Sequence, residues 1–263
     1  MLDFEGIRQY WDNRASGDTS AQSTTQDVYL REIEYRVLFD RILQHDPARV
    51  ADVGCGDGRT TMRLATGSPE AVFEGYDYAT AMVANARQSC LTGSVPNVRF
   101  AQGDITHGLP NRFDLIYTTR CLINLPSWQL QMLALRHIHA ALDDGGVYLM
   151  VENFQEGHDN FNRVREDYGL NEIAVRPHNY FFQRQRLIDF LSPLFVVQEE
   201  LNISSTYYLM SRVVYARMCA DSGSAPDYFD DHHRLAAALP FAGEFGPVRL
   251  LSLRKKPGSF NEP

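Results

Sequence analysis

The chain alternates between two hydrophobic periods. Over 28–45, "VYLREIEYRVLFDRILQH", Leu30, Ile33, Val37, Leu38, Ile42 and Leu43 recur at three- and four-residue intervals, the stripe of an amphipathic helix. Short runs rich in β-branched and aromatic residues follow and read as strands at 49–53, 71–77, 98–104, 113–119 and 146–152. Helices fit 58–66, 79–91 and 127–142, the last opened by Pro126 and Ser127 and stopped by "DDGG". A polar, aromatic segment (153–182) precedes helix "QRQRLIDFLSP" and strand "LFVVQEELN". Two helices, 206–218 and one near "DYFDDHHRLAAAL", then read as an insertion before a final strand, 247–256; for 206–218 a strand is the competing reading.

Strands alternating with helices predict an α/β fold: a doubly wound, mostly parallel sheet with helices on both faces. At 263 residues the chain fits one large domain, or one domain with a cap. The polar stretch 16–27 separates a short aromatic helix from the amphipathic one, and the tail "PGSFNEP" reads as loose.

The net charge of −8 argues against a nucleic-acid partner. Of 25 basic residues only Lys255 and Lys256 are lysine; biased coding explains this as well as a use for arginine's rigid fork. Cys55, Cys90, Cys121 and Cys219 lie far apart with no paired spacing, as expected of reduced thiols rather than disulfides or a zinc site. The N-terminus shows no apolar leader and no window suits a membrane span, so a cytoplasmic protein is expected. "DDHH" (230–233) lacks the spacing that would turn its side chains to one metal, and no metal is expected.

The most informative stretch is "VADVGCGDGRTT". Asp52 closes a strand, and Gly54, Gly56 and Gly58 remove side chains from the turn into a helix, whose N–H groups favour polar or anionic ligand groups. The dinucleotide spacing G-x-G-x-x-G is broken by Arg59, which disfavours a nicotinamide dehydrogenase, and an acid before the glycines suits a ligand with an amino group.

This stretch resembles the first motif of the class I S-adenosylmethionine-dependent methyltransferases. "FEGYDYATAMVANAR", "VRFAQGDITHGLP", "FDLIYTTRCLINL" and "LDDGGVYLMVE" are similar to that family's later motifs, in order. The resemblance implies a seven-stranded Rossmann-like sheet and S-adenosylmethionine as cofactor. Asp52, Gly54, Cys55, Gly56 and Gly58 would then form the cofactor loop, with Cys55 merely filling a small slot. Asp77 would take the ribose hydroxyls, or else cap the next helix. Tyr78 would flank the adenine, Asp104 would reach its amino group and Ile105 would offer a backbone contact.

"QYWDNRA" is similar to the family's N-terminal lid. Tyr10, Trp11 and Arg14 would cover the cofactor, Arg14 meeting its carboxylate, unless this helix is simply docked on the core. The expected division is a helical lid over 1–45 and a methyltransferase domain over 46–263, with cap segments near 153–182 and 204–245. The flanks also resemble a branch associated with bacterial polysaccharide and surface-glycan biosynthesis, which implies a glycan-linked acceptor with a sugar hydroxyl or acidic group.

A hydroxyl acceptor benefits from a base, whereas a carboxylate or phosphate oxygen needs orienting arginines instead. Glu152, ending the fifth strand, and His178 are the candidate bases; an orienting hydrogen bond and a cap are their plainer uses. Expected over the sheet's carboxyl edge, on the acceptor side, are Arg31, Arg120, Asn124, Asn153, Asn179, Tyr180, Tyr207, Tyr208 and Arg212, with Arg120 also within reach of the cofactor. Arg31 equally suits a solvated helix face, and Tyr207 and Tyr208 the core. The leading expectation is O-methylation of a small or glycan-linked acceptor. An N- or C-methyltransferase of a natural-product pathway, or a non-catalytic cofactor-binding protein, shares every cofactor motif, and a homo-oligomer is compatible with all of these.

Overall fold

The computed structural model describes residues 2–17 and 24–257. From the N-terminus come α1 (Phe4–Gly17), α2 (Val28–His45), β1 (Arg49–Val53), α3 (Arg59–Gly67), β2 (Val72–Asp77), α4 (Thr80–Gly93), β3 (Val98–Gln102) and β4 (Phe113–Thr119). There follow α5 (Trp128–Ala141), β5 (Leu142–Asn153), α6 (Gln155–Asp167), α7 (Arg184–Leu191) and β6 (Phe195–Asn202). The insertion comprises α8 (Ser205–Tyr208), a π-helical turn over Leu209–Val214, α9 (Tyr215–Ser222) and α10 (Asp231–Ala237), and β7 (Val248–Lys255) ends the sheet. The middle of the polar stretch, 18–23, and the tail from 258 lie outside the described residues.

The strands form one seven-stranded sheet in the order β3-β2-β1-β4-β5-β7-β6, with β7 antiparallel to both neighbours. The chain runs outward from β1 to β3, then crosses back to β4 on the other side of β1. Such a switch of direction opens a crevice at the carboxyl ends of the two strands, where sheets of this kind bind ligands.

Helices cover both faces, so the central strands are apolar on both. Val50, Leu115, Tyr117 and Leu149 pack under α2 and α3, whereas Ala51, Ile116, Tyr148 and Met150 face α5 and α7. Successive residues of one strand thus belong to different clusters, as the two-residue period demands. The stripe of α2 is buried on the first face at Leu30, Ile33, Val37, Leu38 and Ile42; Leu43 falls outside it and is exposed. α2 is therefore part of the core, while α1 lies against α4 and over the crevice. Asp12 accepts from the N–H of Ala81 at 3.0 Å, and Asn85 donates to the carbonyl of Ala15 at 2.9 Å.

Three elements differ from expectation. The segment after Glu152 contains α6, whose inward residues Gly157, His158, Phe161 and Arg165 keep helical spacing but include a single large apolar side chain. β5 begins four residues early, at Leu142, because "DDGG" continues the strand irregularly, with Gly145 at φ +75°, instead of ending it. The helix expected over 206–218 is interrupted by the π turn.

The corner between α3 and β2 is held by one amide: Asn97 Nδ2 lies 3.0, 3.2 and 2.9 Å from the carbonyls of Ala65, Ser68 and Ala71. The carbonyls of Ala65 and Ser68 also accept from Ser68 and Ala71 N–H, so Asn97→Ala, at a half-buried site, is expected to lower the unfolding free energy by about 1 kcal/mol. A urea titration checks this; an unchanged midpoint would mean that the strands alone hold the corner.

Candidate active site

The carboxyl ends of β1, β2 and β4 open into a cleft of about 300 Å³, closed from above by α1, the start of α2, the 173–179 segment and the insertion. The glycine turn forms its floor. Gly54 and Gly58 hold φ of +80° and +72°; a Cβ on Gly54 would run into the Cys121 side chain, and one on Gly58 would lie 2.5 Å from Phe100 Cζ.

The turn uses its own donors. The N–H groups of Gly54 and Cys55 donate to the Tyr76 carbonyl at 2.7 and 3.0 Å, that of Gly56 to Asp77 Oδ2 at 2.9 Å, and that of Gly58 to the Cys55 carbonyl at 3.0 Å. The anion cradle that a helix start would offer is thus largely taken up internally. Facing the cleft instead are three carboxylates, Asp52, Asp57 and Asp77.

Their electrostatics follow from burial. Asp52 Oδ2 accepts from Thr61 Oγ1 at 2.6 Å and from the Tyr117 hydroxyl at 2.7 Å. Burial nevertheless pushes its pKa up to about 7, and repulsion from Asp77 and Asp57 adds to this. Asp77 accepts one backbone N–H on each oxygen, from Ala79 at 2.9 Å and Gly56 at 2.9 Å, and burial raises it to about 6. Each oxygen has a second lone pair for a ligand hydroxyl. Beside it the Tyr78 ring packs 5.5 Å from that of Phe4, and its hydroxyl is buried with no partner among the described residues. A cationic ligand with a diol fits this end.

The other end of the cleft is rich in arginine. Arg120 follows β4 in the left-handed region, at φ +51°, an unfavourable conformation for a side chain this large. Its Nε lies 2.7 Å from Glu34 Oε1 and its Nη2 donates to Oε2 at 3.2 Å. Arg212 pairs with Asp27, and its guanidinium lies 4.2, 5.3 and 5.4 Å from the ring centres of Tyr208, Tyr228 and Tyr207. Arg31, bonded to Thr24, and Arg176 complete the set. Asn124, Asn153, Asn179, Tyr208 and His178 line the same space, as does Trp11, whose Nε1 donates to Asn124 Oδ1 at 3.2 Å. His178 stacks on Tyr10 at 4.3 Å; burial, with the charges of Arg176 and Arg14, lowers its pKa to about 4, so it is a neutral and weak base at pH 7.

Several expected residues do not line the cleft. Glu152 is fully buried: Oε1 accepts from the N–H groups of Cys121 and Leu122 at 3.1 and 2.9 Å, and Oε2 from Ile123 at 3.3 Å. Its carboxylate holds the turn after β4 and is unavailable as an acceptor base, although burial raises its pKa to about 7. Asp104 caps the turn at 105–107 through Thr106 at 2.8 Å, and Ile105 is buried with its carbonyl accepting from His137. Gly58 packs on Phe100, and Tyr10 lies behind His178. Arg14 borders an outer cleft with Tyr228 and Phe229. Tyr180 is packed beside Gln131, to which it offers its carbonyl at 2.8 Å, and Tyr207 is buried behind Asp27.

Sequence reasoning missed Asp27 and Glu34. Glu34 stands in the four-residue row of Leu30 and Leu38, and that row predicts an inward carboxylate. Asp27 immediately precedes α2 as its cap, accepting from the Leu30 N–H at 3.0 Å, which conceals its second role. His158 and Phe161 came into the cleft with the unforeseen α6.

Comparison with known proteins agrees with this geometry. Residues 50–146 match the family model described as a methyltransferase domain. Over 79 residues the chain is 44% identical to the trans-aconitate 2-methyltransferase of Deinococcus radiodurans, covering 30% of this chain and 29% of that protein. The Variovorax paradoxus enzyme of the same name is 37% identical over 112 residues, 42% and 40% of the two chains. The malonyl-[acyl-carrier protein] O-methyltransferase of Bacillus cereus is 26% identical over 181 residues, 66% and 63%. The matches thus span less than two thirds of these relatives' own length. Among solved structures, the magnesium protoporphyrin IX methyltransferase of Synechocystis with bound S-adenosylhomocysteine superposes with a TM-score of 0.63 at 14% identity, covering 97% and 100% of the chains. The N-methyltransferase NodS of Bradyrhizobium japonicum, also with S-adenosylhomocysteine, gives 0.59 at 14% identity, covering 95% and 98%. Residues 50–146 thus match a methyltransferase domain, and the chain carries the Rossmann-like α/β fold of solved S-adenosylhomocysteine-bound methyltransferases.

Proposed function

We propose that the protein is an S-adenosylmethionine-dependent O-methyltransferase whose acceptor is a carboxylate of a small organic acid. The observation that carries this reading is the polarity of the cleft: three buried aspartates at the glycine turn, and at the other end arginines beside His178, which is only a weak base. Asp77 takes the ribose hydroxyls, Tyr78 flanks the base and Asp52 answers the donor's positive charge. Bound there, S-adenosylmethionine supplies a methyl group already activated by a sulfonium. Arg212 and Arg120, held by Asp27 and Glu34, orient the acceptor so that one carboxylate oxygen meets the methyl in line at about 3–3.5 Å. That oxygen carries no proton, so the displacement needs no general base, in keeping with Glu152 being turned into the protein. Trp11 and α1 cover the cleft as a lid. The names of the relatives, trans-aconitate and malonyl-carrier methyltransferases, favour a small acid over the glycan hydroxyl expected from the flanks.

The reading is tested by incubating the protein with S-adenosylmethionine and trans-aconitate or malonate and looking for the methyl ester by mass spectrometry. Ester formation supports it; methylation confined to amines or sugar hydroxyls overturns it. Asp77→Ala is expected to weaken S-adenosylhomocysteine binding at least tenfold by calorimetry, about 1.4 kcal/mol or more. Asp52 supplies a pH signature. Its native pKa of about 7 lies above the ordinary aspartate value of 3.8, so the native state binds the proton more tightly and stability falls as pH rises from 4 to 7. Asp52→Asn removes that contribution: the ligand-free variant should melt higher than wild type at pH 8 but not at pH 4, while its affinity for the cofactor drops. Parallel loss of melting temperature at both pH values would refute the assignment.

A further inference from the structure

The "DDHH" run, unsuited to a metal, supplies a different feature. Its two histidines diverge. His232 stacks on Tyr215 at 4.7 Å and lies 2.6 Å from Asp230, near the surface. His233 turns inward and is buried, with Nδ1 3.0 Å from the Tyr207 hydroxyl. That hydroxyl lies 2.6 Å from Asp27 Oδ1, which also accepts from the Leu30 N–H at 3.0 Å, and Asp27 Oδ2 pairs with Arg212.

Proton counting gives this chain a direction. Burial works to raise the pKa of Asp27, but Arg212 and the hydrogen bonds outweigh it and hold the carboxyl below its usual range. An ionised carboxylate can only accept, so Tyr207 gives Asp27 its single proton. The tyrosine oxygen can then only accept from His233, which places a hydrogen on Nδ1. Burial, together with the charge of Arg212, lowers the His233 pKa, so the ring is neutral and its Nε2 is bare.

Neither His233 nor Tyr207 lines the cleft; Arg212 does, with hydrogen bonds to Asp27 and, at 3.0 Å, to Ser211. Tyrosine rings surround its guanidinium, and its in-plane angle is set by Asp27 on one amino group and Ser211 on the other. We propose that His233 is a positioning residue for the acceptor: by donating through Nδ1 it locks the Tyr207 hydroxyl onto Asp27, and so holds the Arg212 fork at the angle that receives the acceptor's carboxylate. This rests on Arg212 meeting that carboxylate as proposed above.

Steady-state kinetics with trans-aconitate as the probe test it. His233→Ala should raise the acceptor KM about tenfold, leave kcat within about twofold and leave S-adenosylhomocysteine affinity unchanged. His233→Asn, whose amide can place an N–H near the Nδ1 position, should return KM to within about threefold of wild type. Tyr207→Phe should match His233→Ala, and the double variant should be no worse than either, because both break one chain. A wild-type KM in His233→Ala, or additive losses in the double variant, would overturn the inference. Should the wild-type protein esterify no acid, the proposed function itself fails. The histidine is then read by long-range nitrogen–proton NMR of the S-adenosylhomocysteine complex: a neutral ring protonated on Nδ1 supports the chain, and one protonated on Nε2 overturns it.

Discussion

Negative charge gathered where the strands end must be compensated, and the way each carboxylate is compensated organises the molecule. Glu152 receives three backbone N–H groups and fixes the turn after β4. Asp77 receives two and ties β2 to the glycine turn. Asp27 and Glu34 each hold an arginine. Asp52 has two hydroxyls, too little to offset its burial. Burial raises Glu152, Asp52 and Asp77 alike, but of the three only the aspartates face the cleft. A buried acid left short of partners is a place where a cation is welcome, and stability is given up there in exchange for binding.

The arginine bias acquires a meaning in this setting. Buried ion pairs add little stability over apolar packing of the same volume, yet losing one partner is severe. Glu34–Arg120 and Asp27–Arg212 therefore contribute orientation more than strength. A lysine ammonium on its flexible stem would not hold a planar fork against a carboxylate on one side and a ligand on the other. The bland explanation by coding bias still suffices for exposed arginines such as Arg8 and Arg234, which pair on the surface.

Much of the architecture was legible because burial imposes a period. Short runs of β-branched and aromatic residues marked β1 and β4, the stripe of α2 gave its ends, and Asp52 and Asp77 stood at strand ends, where position alone predicts proximity to ligand. Where the inward face is made of unusual residues the period was silent: α6 buries Gly157, His158 and Arg165, which read as a loop. The expected site residues that face away from the cleft have a common cause. Glu152 and Asp104 occupy the right edge, but a sequence records the position of a carboxylate and not which way it faces, and both turn to nearby backbone N–H groups. Glu34 shows the reverse case, an acid that shares the buried row of Leu30 and Leu38 and that a stripe read from apolar residues alone passes over.

The π turn at 209–214 carries Arg212, and Arg165 donates to the carbonyl of Arg212 itself. A π turn holds one residue more than an α turn. Deleting a single codon there would restore an uninterrupted helix and swing every later side chain of that segment by about 100° about its axis. Arg212 would leave the cleft and a neighbour would take its place, with the glycine turn and Asp77 untouched. The lining of the arginine-rich end of the cleft is therefore open to change by the gain or loss of one residue, without any alteration of the end built by the glycine turn.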